Sequence, residues 1–156
     1  MADSLTFSLQ TFDELSKQEL YAILRLRQRV FVLEQNCPYV DADDKDQAAW
    51  HLPGHDPSGR LLLAYARLLP AGLAYPGYAS IGRVVTAPEA RGEGLGRAVM
   101  EESLTACRQL FGRTPIKIMA QEYLLDFYQA YGFTPASEPY LEDNILHLDM
   151  IRHWNT

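Results

Sequence analysis

A glycine-rich segment at residues 91–97 joins a stretch with the pattern of a β-strand to a stretch with the pattern of a helix. Its sequence is Arg-Gly-Glu-Gly-Leu-Gly-Arg, with glycine at three alternate positions. Glycine permits tight turns that other residues resist, and the first N–H groups of a helix have no partner within it. Because the helix dipole adds partial positive charge there, such a helix start attracts anions. The segment therefore predicts a strand–turn–helix unit with a site for a phosphate group.

Two well-known phosphate-binding loops do not match this segment. A Walker loop ends in Gly-Lys-Ser or Gly-Lys-Thr, whereas Gly96 is followed by Arg97 and Ala98. The dinucleotide fingerprint needs G-x-G-x-x-G near the start of a βαβ unit, whereas this chain has G-x-G-x-G in its second half. On the glycines alone, a connection that binds nothing stays open as an alternative.

Length and composition restrict the class of protein. A chain of 156 residues predicts one domain, spanning 1–156. No apolar run approaches the roughly 20 residues of a membrane helix, and Met1 to Ser4 begin no secretory signal. The two cysteines, Cys37 and Cys107, are far apart, which predicts reduced thiols. We therefore expect a cytoplasmic protein without a membrane partner, and the net charge of −6 disfavours nucleic acid.

The acidic front of the chain does not match a metal site. Four aspartates lie between residues 41 and 46, but an EF-hand register places Asp46 where glycine is needed and Leu52 where glutamate is needed. His51 and His55 flank Leu-Pro-Gly, which opposes a helix that would align them as ligands. The sequence therefore predicts no metal, with the histidines in a loop.

Apolar periodicity divides the chain into alternating strands and helices. A capping box formed by Ser16 and Glu19 marks the start of the first helix, and Gly112 and Gly132 end the later two. The polar stretch at 36–59, which contains several prolines and glycines, predicts a long loop. Predicted strands cover 5–9, 60–69, 78–86, 116–120 and a hairpin of 133–140 with 145–152, and predicted helices cover 16–33, 95–111 and 124–131.

Two motifs at matching spacing carry a resemblance to a known family. The first is R-x-x-G-x-G from residue 91, and the second is F-Y-x-x-x-G-F from residue 127. Together with the order strand, glycine loop, helix, strand, they resemble the GNAT superfamily of acetyl-CoA-dependent N-acetyltransferases. The front of the chain, residues 26–39 with Asp41 and Asp43 following, is similar to the ElaA-type subgroup.

The resemblance implies an α/β (α+β) fold with a mixed, mostly antiparallel sheet and about four helices. Its central strands, ending near Thr86 and Gln121, splay apart and hold the pantetheine arm of acetyl-CoA, while the glycine loop holds the pyrophosphate. Many family members have asparagine where this chain has Gln121. The cofactor-binding residues so implied are Val84, Val85, Thr86, Arg91, Gly92, Glu93, Gly94, Leu95, Gly96, Arg97, Gln121 and Tyr128.

The implied reaction is direct attack of a primary amine on the thioester in a ternary complex. It needs a neutral amine, a donor for the oxyanion and a proton for the leaving thiolate. Tyr128 aligns with the general acid of the family, and a tyrosine with a pKa near 10 is still protonated when a thiol with a pKa of about 8.5 leaves. The base stays open, and Glu34 is favoured because it ends a helix and begins the front loop. The full set of bases considered is Glu34, Asp41, Asp43, His51 and His147.

Arg83 interrupts an otherwise apolar strand beside the implied cleft. A buried charge needs a partner, so we expect Arg83 to pair with Asp41, Asp43 or a substrate carboxylate, unless it points outward to solvent. The full set of acceptor-binding residues predicted from the sequence is Glu34, Asp41, Asp43, Arg83 and His147.

The acidic residues near the front favour a cationic acceptor amine, on a small molecule or a peptide. Exposed edge strands also predict that a homodimer can form. Two alternatives to an N-acetyltransferase stay open, namely an acyl-CoA-binding protein without catalysis and an acyltransferase similar to acyl-homoserine-lactone synthases.

Overall fold

The computed structural model describes residues 5–155, so Met1 to Ser4, where no secretory signal is predicted, lie outside the described residues. The described chain has three α-helices and nine strands in two sheets. The helices are α1 (Lys17–Arg27), α2 (Leu95–Phe111) and α3 (Leu125–Gln129). The strands are β1 (Thr6–Phe7), β2 (Gln10–Thr11), β3 (Trp50–His55), β4 (Leu62–Leu69), β5 (Ser80–Thr86), β6 (Ile116–Gln121), β7 (Thr134–Pro135), β8 (Tyr140–Glu142) and β9 (Ile145–Arg152).

The first sheet has five antiparallel strands in the order β1-β3-β4-β5, with β2 also paired to β3. The prediction of a loop throughout 36–59 is wrong, because β3 lies in the middle of this sheet. Its Pro53 and Gly54 are turn residues by composition, which is why the strand was missed. The N-terminal strand is split opposite Leu52 and Pro53, and the Phe7 ring covers Gly54 so closely that a Cβ there would lie 2.7 Å from it.

The second sheet has four strands, with β9 paired to β6, β7 and β8. It meets the first sheet at one point, where Ala79 bridges Ile116 in parallel and accepts a hydrogen bond of 2.9 Å from the Lys117 N–H. Beyond this bridge β5 and β6 belong to separate sheets. The predicted pair of splayed central strands is therefore present, and the gap between them opens towards their carboxyl ends.

Helices α1 and α2 cover opposite faces of the first sheet. Alternation along β4 directs Ala64, Ala66 and Leu68 towards α2, and Tyr65 towards α1. The capping box of α1 is formed as predicted, with the Glu19 N–H donating to Ser16 Oγ at 3.0 Å and the Ser16 N–H donating to Glu19 Oε1 at 3.1 Å.

The helix predicted over 16–33 changes its winding after Arg27. A π-helical segment, Gln28–Glu34, follows α1 directly, and wider hydrogen bonds run from the Gln35 N–H to the Val30 carbonyl and from the Cys37 N–H to the Val32 carbonyl, both 3.0 Å. Apolar spacing alone does not distinguish such a segment from an α-helix. π-Helical turns are frequent at functional sites, and this one borders the cleft described below.

Three arginines and three aspartates form a closed ring of alternating charges beneath the front of the chain. Arg27 contacts Asp41 at 2.7 Å and Asp46 at 2.8 Å, and Arg67 contacts Asp46 at 3.0 Å. Arg67 also contacts Asp43 at 2.7 Å, while Arg83 closes the ring by contacting Asp41 at 2.7 Å and Asp43 at 3.4 Å. The ring ties the segment before β3 to α1, β4 and β5.

Four of the six ring members are buried and Asp43 and Arg83 are partly exposed, so the charges in the interior depend on one another. Arg27 has no exposed surface and Arg67 only 3%. Burial alone would raise the pKa of Asp46, but hydrogen bonds from Arg27 and Arg67 hold it below its usual range. Since that depressed pKa belongs to the folded state, the stability contributed by Asp46 is present above its unfolded pKa and is lost as the pH falls through the folded one.

We expect Arg27→Met to lower the free energy of unfolding by about 3–5 kcal/mol, because the buried carboxylates of Asp41 and Asp46 each lose one of their two arginine partners. The matched control is Arg29→Met, two residues further on, whose 2.9 Å ion pair with Glu89 is partly exposed and should cost below about 1 kcal/mol. Urea unfolding followed by circular dichroism measures both. Equal losses in the two variants would contradict a structural role for the ring.

Candidate active site

A cleft of about 630 Å³ lies between the diverging strands β5 and β6. Strand β5 lines it from Ile81 to Thr86, and β6 lines it with Ile118, Met119 and Gln121. The π-helical segment and the residues after it form one rim, and the turn between β8 and β9 forms another. The cleft thus reaches the start of the glycine loop at Arg91 and the aromatic motif at Tyr128.

Strand β5 carries a β-bulge beside this cleft. Tyr65 pairs with Val85 and Arg67 pairs with Gly82, so Arg83 and Val84 together lie opposite Ala66. Arg83 has a φ of 51°, which is rare for a residue with a side chain. A bulge leaves backbone groups outside the ladder, so this edge of the cleft offers peptide groups that are not all committed to the sheet.

The glycine loop ends in an uncapped helix. Gly94 is the N-cap of α2, has a φ of 78° and offers no side chain to the free N–H groups that follow. At Gly96, a Cβ would meet no atom within 4 Å. The first turn of α2 therefore presents N–H groups to open space, which is the geometry that binds an anion.

The side chain of Arg91 points back to the π-helical segment. Its guanidinium donates two hydrogen bonds to the Glu34 carboxylate, at 2.7 and 2.8 Å, and this bond lowers the pKa of Glu34. A second ion pair, between Arg29 and Glu89, lies alongside. Both pairs fasten the turn before the glycine loop to the front of the chain. A carboxylate with a lowered pKa is a weaker base, so this geometry disfavours the base role that the sequence suggested for Glu34.

Tyr128 is held by the other aromatic residues of its motif. Its ring meets Phe127 and Phe133 edge to face, at centroid distances of 5.2 and 5.8 Å, and its carbonyl accepts a hydrogen bond from the Phe133 N–H. Tyr128 lines the cleft, and its hydroxyl has no hydrogen-bond partner among residues 5–155. Burial raises its pKa to about 12, so the hydroxyl stays protonated at neutral pH.

The front aspartates do not face the cleft. Asp41 and Asp43 are held by Arg27, Arg67 and Arg83, and neither lines the cleft. Arg83 pairs with these aspartates as expected, and does not point outward. The structure therefore separates the predicted acceptor residues, leaving Glu34, Arg83 and His147 at the cleft.

The prediction that His51 and His55 lie in a loop is wrong, because both are on β3, and His51, another base considered from the sequence, is fully buried there. Its Nε2–H donates to the Asp46 carbonyl at 2.9 Å, so its Nδ1 accepts from the Tyr65 hydroxyl at 2.7 Å. Both ring nitrogens are occupied, and burial lowers the pKa of His51. Through its bond to the Asp46 backbone, His51 therefore helps to hold one aspartate of the charge ring in place.

The end of the cleft away from the glycine loop has a different chemical character. It is lined by Cys37 and Tyr39 on one side and by Glu142, Asp143 and His147 on the other. Of these, only His147 is among the acceptor residues predicted from the sequence, and Cys37, Tyr39, Glu142 and Asp143 are not. Asp143 and Asn144 both have positive φ, 52° and 63°, as a tight hairpin turn requires, and this turn brings the two carboxylates to the rim.

Comparison with known proteins identifies the fold. The family model described as an acetyltransferase (GNAT) domain matches residues 41–153, more than half of the chain. The chain belongs to the GNAT family. ElaA of Escherichia coli is 41% identical over 141 residues, which cover 89% of this chain and 90% of ElaA. The motifs at residues 91 and 127 and the ElaA-like front therefore predicted this GNAT subgroup correctly.

Solved GNAT structures agree with the fold. An acyl-CoA N-acyltransferase from Pseudomonas aeruginosa superimposes with a TM-score of 0.90 at 42% identity, covering 96% of this chain and 99% of that one. The E. coli ElaA structure gives 0.87 at 39% identity, covering 95% and 99%. A Bacillus subtilis acetyltransferase in complex with CoA gives 0.69 at 17% identity, covering 97% and 99%, which shows the fold alone.

Two further observations apply to the described residues. None of their helices is long and apolar enough to cross a membrane. Within 5–155, no group of three or more histidine, cysteine, aspartate or glutamate side chains is arranged to hold a metal ion.

We expect Asp143→Asn to speed alkylation of Cys37 by iodoacetamide about fivefold at fixed pH. Burial raises the pKa of the Cys37 thiol, and the charge and hydrogen bonding of Asp143 raise it further, so removing that charge yields more thiolate. Mass spectrometry measures the rate, with Cys107, which is 1% exposed, as an unreactive internal reference. Asp126→Asn, outside the cleft, is the matched control, and no difference between the variants would place the turn away from Cys37.

Proposed function

We propose that this protein transfers an acetyl group from acetyl-CoA to a primary amine of a small molecule or peptide, by direct attack in a ternary complex. The observation that carries the proposal is the single cleft that joins the approach to the glycine loop to the protonated Tyr128 hydroxyl. Membership of the GNAT family supports acetyl-CoA as donor, and a protein of the same fold binds CoA.

In this proposal the cofactor runs along the cleft from the glycine loop to the bulge of β5. The pyrophosphate accepts hydrogen bonds from the N–H groups at the start of α2, where Arg97 adds positive charge. The pantetheine arm lies between β5 and β6, pairing with the backbone at Val84 to Thr86 as an added strand would. Gln121 borders the same arm from β6. Glu34 keeps Arg91, and with it the turn before the loop, in place.

The acetyl thioester then lies near the bulge, with Tyr128 beside its sulfur. Thiolate departure needs a donor that is still protonated, and the raised pKa of Tyr128 provides one. The low-polarity surroundings that raise the pKa of the phenol also raise the basicity of a thiolate leaving into them. Tyr128 can therefore still protonate the thiolate when the C–S bond breaks.

Replacing Gly96 by leucine should abolish CoA binding without unfolding the protein. A Cβ at Gly96 would have no atom of another part of the chain within 4 Å, and leucine suits a helix better than glycine, so the added side chain should enter the space proposed for the pyrophosphate. Thermal unfolding with acetyl-CoA, CoA, dephospho-CoA or pantetheine measures binding, because a ligand of the native state raises its melting temperature.

The wild-type protein should respond to the three ligands that contain the pyrophosphate and weakly to pantetheine. Glu102→Leu, an exposed change on the same helix, is the matched control and should respond as the wild type does. A Gly96→Leu protein that still binds CoA would move the pyrophosphate elsewhere. A wild type that ignores all four ligands would reject acetyl-CoA as donor.

Tyr128→Phe should lower kcat about a hundredfold while leaving acetyl-CoA affinity intact, because only the proton donor is lost. Release of CoA in the presence of an amine measures turnover, and the thermal shift measures affinity. Tyr131→Phe, which alters another tyrosine that packs on Phe127 but does not line the cleft, is the matched control. Unchanged turnover in Tyr128→Phe would reject the acid role, and acetyl-CoA binding without any acetylated amine would favour the non-catalytic alternative.

A further inference from the structure

The end of the cleft away from the glycine loop contains a histidine whose Nδ1 is bonded to a backbone carbonyl and whose Nε2 has no hydrogen-bond partner among residues 5–155. We propose that His147 is the general base of the reaction, and that the site binds its acceptor as a positively charged alkylammonium and deprotonates it there. This inference rests on the proposed function, which it extends from the donor to the acceptor. It differs from the sequence-based preference, which gave the base to Glu34.

His147 is only 7% exposed, yet it lines the cleft. Its Nδ1 lies 2.7 Å from the Ile145 carbonyl oxygen. A carbonyl can only accept, so Nδ1 carries the proton, and in the neutral ring Nε2 has a free lone pair. Nε2 has no hydrogen-bond partner among residues 5–155 and is not among the side-chain atoms shielded from solvent without a partner.

The position of His147 fits this task. It lies on β9 directly opposite Gln121, the last residue of β6, on the side where the sheets diverge. The Tyr140 ring stacks on it from β8, with ring centroids 6.4 Å apart, and the Tyr140 hydroxyl is fixed by a 2.6 Å bond to Asp149. The imidazole ring is therefore held from the side by Tyr140 and from the backbone by the Ile145 carbonyl, in a residue that lines the cleft.

The other bases considered are already engaged. Glu34 accepts both of its strong bonds from Arg91, Asp41 and Asp43 belong to the buried charge ring, and both nitrogens of His51 are bonded. Among these five groups, only His147 combines a free acceptor atom with a place in the cleft wall.

Two carboxylates at the same end indicate the charge of the acceptor. Glu142 and Asp143 line the cleft, and neither forms an ion pair within residues 5–155. Arg83 also faces this end, but its charge is offset by Asp41 and Asp43. The uncompensated charge is therefore negative. It attracts the ammonium form of an alkylamine, which is the form that needs a base before it can attack.

The proton balance is complete. His147 Nε2 takes one proton from the ammonium, and the neutral nitrogen attacks the thioester carbonyl carbon. When the C–N bond has formed, the C–S bond breaks and the sulfur receives the proton of Tyr128. The second proton lost by the nitrogen restores Tyr128 through water, and His147 returns its proton to solvent, so the products are the amide, CoA and one proton.

A pH profile alone would not identify His147, because other titratable groups share the cleft. The design therefore varies the amine as well as the residue. The titratable or charged side chains that line the cleft or stack on His147 are Glu34, Cys37, Tyr39, Arg83, Arg91, Tyr123, Tyr128, Tyr140, Glu142 and Asp143.

The test compares ethylamine with 2,2,2-trifluoroethylamine, which has nearly the same shape but is already neutral near pH 7.5. His147→Asn keeps a donor for the Ile145 carbonyl and removes Nε2. We expect it to lower kcat with ethylamine about a hundredfold, to spare the fluorinated amine, and to recover as the pH rises and free ethylamine becomes abundant. A purely structural role would lower both rates alike at every pH.

Two matched variants and a second measurement complete the test. His153→Gln, an exposed histidine outside the cleft, should behave as the wild type, whereas an ethylamine-specific, pH-rescued loss in Glu34→Gln instead would return the base to Glu34. If His147→Asn fails to fold, His147→Gln replaces it. Nitrogen-15 NMR of the wild-type complex with CoA should show Nδ1 protonated and Nε2 bare in His147, and the opposite tautomer would overturn the proposal.

The outcomes separate this inference from the proposed function. Acetylation of ethylamine that is indifferent to His147 would leave the enzyme an acetyltransferase with another base. A protein that binds acetyl-CoA, shows the expected tautomer and acetylates neither amine would count against the proposed function and would remove the reaction that His147 is meant to serve.

Discussion

The buried ring of three arginines and three aspartates is the interaction on which the rest of the structure depends. Because the segment before β3 is mostly polar, the ion pairs of the ring are what hold it against α1. The ring also fixes Arg83, and Arg83 is the residue that takes positive φ at the β5 bulge. A non-glycine residue in that conformation is strained, and two ion pairs hold it there. The shape of the cleft edge is therefore maintained by the ion pairs of Arg83 with Asp41 and Asp43.

A second set of ion pairs connects the front of the chain to the glycine loop. Arg29 and Glu34 lie on the π-helical segment, and they hold Glu89 and Arg91 in the turn that precedes the loop. These pairs are partly exposed, so their value for stability is small. They instead fix the position of the loop, because the loop is rich in glycine and has little conformational preference of its own. The loop is thus aligned by its neighbours.

The sequence predicted those parts of the fold that follow from local rules. Apolar spacing located α1, α2 and most strands, and the two motifs at residues 91 and 127 identified the family. It failed at β3, where Pro53 and Gly54 are tolerated because the N-terminal strand is interrupted there and the Phe7 ring packs on the glycine. The pairing of Arg83 with Asp41 or Asp43 was among its expectations, but the rest of the charge ring was not, because nothing local reveals that Arg67, which is distant in sequence, meets Asp43 and Asp46.

That pairing also decides where acceptor selectivity can originate. The six charges in the ring sum to zero, so Asp41, Asp43 and Asp46 add no uncompensated negative charge beside the cleft. In the proposed reaction, the carboxylates that an acceptor would meet are Glu142 and Asp143, which a tight turn places in the cleft lining together with Cys37 and Tyr39. The negative net charge of the sequence therefore has the sign expected for a cationic acceptor. The acids near the front of the chain, however, are not the ones that line the cleft. Whether an acid is paired with a buried arginine, more than how many acids the sequence contains, determines which charges an approaching substrate meets.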